Sequence, residues 1–212
     1  MVTFKSTAVR AVLVSALLLG TVAACGVGSQ GPEDAPALKL GLLLDFSEGS
    51  TEKARDRERA FDLAVKHVNA AGGVFGLPVE TVTRDSTRDP AVAVEEARRM
   101  IEEDGVHALV GPNSSANSLP VAEQVAGPAS IPVISPSASS PLLTSAKDNE
   151  FFFRTALSDS AQGPVLAQVT RDLGFTNVGV VYLDDFWGRG IYESFSAAWT
   201  GALRAAVVPP GK

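Results

Sequence analysis

Apolar and polar positions fall in blocks along the chain, and the period changes from block to block. Leu38 to Leu44 is a mostly apolar run bounded by Pro36 and Asp45, the pattern of a buried parallel strand. Between residues 53 and 70 the apolar positions Phe61, Ala64, Val65 and Val68 fall at i, i+3, i+4 and i+7. That spacing predicts one apolar helix face, ended by the glycines after Asn69. Val79 to Thr83 alternates as a strand. Asp89-Pro90 then supplies an N-cap with Pro at the first helical position. Val94, Ala97 and Ile101 mark the buried face of that second helix, and Gly105 stops it. His107 to Val110 reads as a short strand ending at Gly111-Pro112. Leu119, Ala122 and Ala126 face inward from a third helix, and Ile131 to Ile134 is a fourth strand. The order β-α-β-α-β-α-β predicts a parallel sheet with helices on both faces, with Leu40, Leu42 and Val110 in its core.

A second block starts near Phe151. Phe151 to Arg154 is extended and leads onward, and Asp159 is placed to cap a helix with Leu166, Val169 and Leu173 on one face. Asn177 to Leu183 is a strand. Ile191 to Leu203 reads as a helix with Ile191, Phe195 and Ala198 inward, and Ala205 to Lys212 as the start of another strand. Two strands and two helices are too little to close a core of their own.

The first residues read differently. Lys5 and Arg10 precede an apolar run from Ala11 to Leu19, too short for the roughly 20 residues that cross a bilayer. These are the proportions of a signal peptide. Val22-Ala23-Ala24-Cys25 follows at once and resembles the lipobox of bacterial lipoproteins, in which the Cys is acylated and becomes the new N-terminus. Cys25 is the only cysteine in the chain. Residues 1–24 are therefore expected to be a lipoprotein signal peptide. Residues 25–37, rich in Gly, Ser and Pro, are expected to be a flexible tether.

Composition narrows the function classes. The chain has 212 residues, 45% hydrophobic and 20% charged, with a net charge of −6. It is acidic without a basic cluster, which argues against a nucleic-acid partner. One Cys and two His leave too few ligands for a zinc site, and no cofactor motif stands in a credible context. Gly26-Val27-Gly28-Ser29-Gln30-Gly31 matches a dinucleotide fingerprint by letter, yet it follows no strand and opens no helix. His67 and His107 read as solvated and structural, no nucleophile elbow or phosphate loop is present, and an enzyme is not expected. The charged run Lys53 to Arg59 reads as a solvated helix face.

A series of short motifs points further. It runs Val68-Asn69-Ala70-Ala71-Gly72-Gly73-Val74, Asp85-Ser86-Thr87, Val110-Gly111-Pro112, Ile131-Pro132-Val133-Ile134-Ser135-Pro136, Phe153-Arg154-Thr155 and Asp184-Asp185-Phe186-Trp187-Gly188-Arg189-Gly190. In this order, behind a lipobox, it resembles the type I periplasmic binding proteins of the leucine/isoleucine/valine-binding class, the solute-capturing subunits of ABC importers. The resemblance implies a Rossmann-like lobe, residues 38–150, and an incomplete second α/β lobe, residues 151–212. It also implies that the family's full two-lobed fold is only partly supplied by this chain. It further implies a small amino-acid-like ligand, ABC permease subunits as partners, and attachment to the extracytoplasmic face of a membrane through the lipid. A ligand sensor of the same fold, or a non-binding remnant, stays open beside it.

In open α/β sheets ligands sit beyond the carboxyl ends of the strands. Matching motif to motif, the resemblance carries ligand contacts onto Ser114 or Ser115, Ser137 and Ser139, with Trp187 covering the cleft from the second lobe. Hydroxyls there can donate to a carboxylate and accept from an ammonium, and an aromatic can cover an apolar tail.

Overall fold

The computed structural model describes residues 36–209. The expected leader, the lipobox with Cys25 and nearly all of the tether lie outside the described residues.

Five parallel strands form the main sheet: β1 (Lys39–Leu44), β2 (Glu80–Asp85), β3 (Ala108–Val110), β4 (Val133–Ser135) and β5 (Phe152–Arg154). Their spatial order is β2-β1-β3-β4-β5. The alternating side chains of β1 divide the core. Leu43 joins Leu109, Val133 and Met100 on one face, while Leu42 and Leu44 meet Ala54, Phe46 and Phe61 on the other. Helix α1 (Thr51–Ala70) covers the second face. Helices α2 (Pro90–Glu102) and α3 (Ser115–Val121) cover the first, α3 running on through a π turn, Ala122–Ala126, into a single turn α4 (Gly127–Ala129). The expected cap forms: the Asp89 carboxylate accepts from Ala91 N–H at 2.9 Å and Pro90 opens α2. The predicted lobe, a parallel sheet with helices on both faces, is the observed one.

Three local expectations shift. Leu42 is fully buried, but Leu40 and Val110 are only half-buried, and Leu109 occupies the interior instead. In α2 the innermost residues are Ala93, Ala97 and Met100, with Val94 and Ile101 at the rim of the same cluster. On α1, Phe61 and Val65 are half-buried while Ala64 and Val68 are exposed.

The boundary between lobes also moves. Placing it at residue 151 would assign Phe152–Arg154 to the second lobe. Instead this strand pairs with β4 through Val133–Phe152 and Ser135–Arg154, so the first sheet runs to Arg154.

Beyond it, β6 (Asn177–Leu183) and β7 (Ala202–Val208) form a parallel pair, covered on one face by α5 (Gln162–Asp172) and α6 (Phe186–Ala198). Ala167, Phe195 and Trp199 make its buried centre, packed against Val178, Val180 and Leu203. Leu166, Val169 and Leu173, expected inward, are exposed. Gly163 and Ala167 take the inner face because only small residues allow α5 to lie this close to α6. Asp159 does not cap α5 with its side chain; α6 begins five residues earlier than expected, and Leu203 belongs to β7. The opposite face of the β6–β7 pair, with Val181 and Val207, is exposed. No helix among the described residues is long and apolar enough to cross a membrane.

Candidate functional site

With the strand order found here, chain connections leave in opposite directions from β1 and β3, and a crevice opens beyond their carboxyl ends. Asp45 and Asn113 sit at that point. Asp45 N–H donates to Asn113 Oδ1 at 2.9 Å, which ties the two loops together. The Asp45 carboxylate is buried, accepts from Ser47 N–H at 2.9 Å, and lies 3.6 Å from the Arg88 guanidinium. Burial alone would raise its pKa. Hydrogen bonds from Ser47 and Ser50 and the charge of Arg88 outweigh that, and hold it below the usual carboxylate value. Asp45 is therefore a fixed negative charge with its own partner.

The serines after β3 and β4 have separate tasks. Ser114 caps α3, its Oγ accepting from Asn117 N–H at 3.2 Å, which leaves its own hydroxyl proton available. Ser115 is buried and accepts from Ser140 N–H at 3.1 Å. Ser137 donates its hydroxyl proton to Asn113 O at 2.8 Å. Ser139 donates to the Asp159 carboxylate at 2.7 Å. Ser140 donates to Phe186 O at 2.8 Å, a direct link from the β4 loop to the start of α6.

Facing these loops is the segment between β6 and α6. Asp185 caps α6 by accepting from Gly188 N–H at 2.7 Å, and Arg189 Nε donates to Asp184 at 2.6 Å. Phe186 and Trp187 stand at the same end. Between the two walls lies a cavity of about 1040 Å³. Of the residues expected to touch a ligand, Ser114, Ser137 and Trp187 line it, and Trp187 is 43% exposed there. Ser115 and Ser139 are not among the lining residues; their hydroxyls are turned to other partners. The cavity also takes Lys53 and Arg57 from α1, which the sequence reading left on a solvated face.

The sequence profile described as periplasmic binding protein matches residues 37–212. The chain belongs to the periplasmic binding protein family. Among curated relatives, this periplasmic binding protein is 31% identical over 176 residues to the chemotactic signal transduction system substrate-binding protein BasB of Halobacterium salinarum. It is 32% identical over 159 residues to the leucine-, isoleucine-, valine-, threonine- and alanine-binding protein of Pseudomonas aeruginosa. The matches take in 79% and 74% of this chain and 42% of each relative. The chain thus spans less than half the length of these relatives.

Solved structures agree on the fold. The branched-chain amino acid transporter substrate-binding protein LivJ of Streptococcus pneumoniae, determined with isoleucine, superposes with a TM-score of 0.72 at 28% identity. That match covers 84% of this chain and 51% of LivJ. A periplasmic binding protein from Burkholderia mallei, at 21% identity and a TM-score of 0.75, shares the fold over 83% of this chain and 48% of its own. In this periplasmic binding protein the crevice at β1 and β3 is therefore built on a known type I scaffold. The residues that sequence reasoning missed, Lys53 and Arg57, had one available signal: their spacing of four puts them on the same side of α1.

Proposed function

We propose that the chain is the ligand-capturing part of an extracytoplasmic solute-binding lipoprotein of an ABC importer, and that it takes an amino acid or a similar small polar solute. The observation that carries this reading is the cavity between the carboxyl end of the main sheet and the β6–α6 segment. It stands in a chain 32% identical to a relative named for binding leucine, isoleucine, valine, threonine and alanine. In this reading Ser114 and Ser137 meet the polar head of the solute and Trp187 covers its tail. Ser115 and Ser139 support those loops from behind. Cys25 carries the lipid that holds the protein to the membrane, and permease subunits receive the solute. A ligand sensor is the second reading, favoured by the identity to a substrate-binding protein of a chemotactic signal transduction system.

Calorimetry with the purified protein and a panel of amino acids and small organic acids tests the binding role. At least one panel member should bind. Trp187→Ala should weaken that binding by about 1–3 kcal/mol, within the range for losing a large buried apolar contact. An absence of heat with every solute would defeat the reading. Cys25→Ala should leave the protein out of the membrane fraction or unprocessed. Genes for a permease and an ATPase beside this one would favour importer over sensor.

A further inference from the structure

Charge in the cavity balances in number, with four carboxylates against Lys53, Arg57, Arg88 and Arg189, but the two signs are not equally engaged. Each carboxylate already has a partner. Asp45 faces Arg88, Asp184 holds Arg189, and Asp89 and Asp185 accept from backbone N–H groups at the starts of α2 and α6. Arg88 is spoken for in turn: besides Asp45 it donates to Glu48 O at 2.6 Å and to Ser50 Oγ at 3.2 Å. Two cations are left. Among the described residues, no carboxylate lies within ion-pair distance of Lys53 or Arg57.

Arg57 is the more telling of the two. It is half-buried, and it reaches across from α1 to the loop after β4. Its Nη1 donates to Lys53 O at 3.1 Å and its Nη2 to Ser137 Oγ at 3.3 Å, contacts that aim the guanidinium without neutralising it. A guanidinium has five N–H donors, so most of its capacity stays unspent. Ser137, by contrast, has no proton left to offer, because its hydroxyl hydrogen goes to Asn113 O. At this wall the donors for an anion come from Arg57 rather than from the serine. The arrangement matches what a carboxylate requires: a planar fork of charged donors, already held in place. A zwitterion with an apolar side chain brings Lys53 and Arg57 one carboxylate and no net charge, whereas an acid brings net negative charge as well.

We propose that the cavity selects a small organic acid of net negative charge, an acidic amino acid or a simple carboxylic acid, with Arg57 binding its carboxylate and Lys53 adding to the field. This rests on the proposed solute-binding role and names the substrate class of that same site. Charge complementarity of this kind also speeds capture and makes it sensitive to salt.

Calorimetry on the purified protein against leucine, glutamate, succinate and 4-hydroxybenzoate is the test. One or more of the acids should bind at least tenfold tighter than leucine, with affinity falling as sodium chloride is raised. Arg57→Met should weaken acid binding by about 10- to 100-fold, the scale of one lost charge-assisted hydrogen bond. Arg57→Lys should recover part of it, since the charge returns without the fork. Lys53→Met should cost less than Arg57→Met. Thermal melts of the variants, expected to stay close to the parent because Lys53 is exposed and Arg57 makes no ion pair among the described residues, separate lost contact from lost fold. Leucine binding as tightly as the acids, with Arg57→Met indifferent, would overturn the anion assignment and leave the solute-binding role standing. No binding of any of the four would overturn both.

Discussion

Leu109→Asp should leave the protein unfolded at room temperature. Leu109 is fully buried in β3, where it packs with Leu43, Met100 and Val133. A carboxylate there would have no partner, and an unpaired buried charge costs many kcal/mol, relieved only by taking up a proton or opening the structure. The total stability of an ordinary domain is only about 5–15 kcal/mol. The milder Leu109→Ala should cost about 2–5 kcal/mol, as lost transfer energy plus a cavity. Val110→Asp gives the internal comparison. Val110 is half-buried at the edge of the other cluster, so its carboxylate keeps a route to water and the loss should be smaller. Far-ultraviolet circular dichroism against temperature reads all three. A Leu109→Asp melt at the parent midpoint, or a Val110→Asp melt below that of Leu109→Asp, would show that the centre of the sheet lies elsewhere.

That contrast also shows what the sequence makes legible. The strand expected at 107–110 forms over Ala108–Val110, because the five residues between Gly105 and Gly111-Pro112 have little else to be. Which of Leu109 and Val110 faces the crowded side depends on what covers each face, and that is set by α1 and α2 from far along the chain. The cap at Asp89 is fully local, a side chain bonding two residues onward, and it is found as expected. The pairing of Phe152–Arg154 is not local. An extended segment announces itself, but nothing within it says which sheet it joins. The inner face of α5 fails for a related reason: its leucines and valines carry the hydrophobic signal, while its contact is made by Gly163 and Ala167.

The site divides along the same line. Alternation in an extended loop would put Ser137 and Ser139, two residues apart, on one side, but the chain bends at residues 136–137 and separates them. One reaches Asn113 at the cavity wall and the other reaches Asp159 away from it. The charged run on α1 splits by helical period. Arg55 pairs with Glu58, and Arg59 with Asp56, on exposed turns, as a solvated face requires. Lys53 and Arg57, one turn apart, look instead into the cavity. The spacing is written in the sequence. The loop after β4 that meets it, 80 residues away, is not.

Gly163→Val should separate α5 from α6 and disturb both stability and the ligand wall. A Cβ at Gly163 would fall on the backbone of Ser194 and Phe195, in the middle of α6. Main chain cannot step aside as a side-chain tip can, so the helices must part or the start of α5 must unwind. Overpacking of this kind costs about 1–3 kcal/mol and sometimes more. The cluster beneath it is small, with Ala167, Phe195 and Trp199 at its centre, so even a slight tilt exposes much of it. Phe195 and Trp199 stack with ring centroids 5.7 Å apart, and Trp199 is 8% exposed, which makes its fluorescence a local gauge. The other tryptophan, Trp187, is removed from the signal with Trp187→Phe as background. In that background Gly163→Val should lower the thermal midpoint and shift Trp199 emission to the red. In the parent it should also weaken solute binding, because α6 carries Asp185 and Trp187 at its start. Gly174→Val is the control: that glycine has φ +82 but open space around its Cβ, so backbone strain is present without collision. Strain in the left-handed region costs about 1–2 kcal/mol, and it should leave Trp199 emission unchanged. If both variants shift the emission alike, general destabilisation rather than the α5–α6 contact is responsible, and close approach at Gly163 does not set the position of the wall.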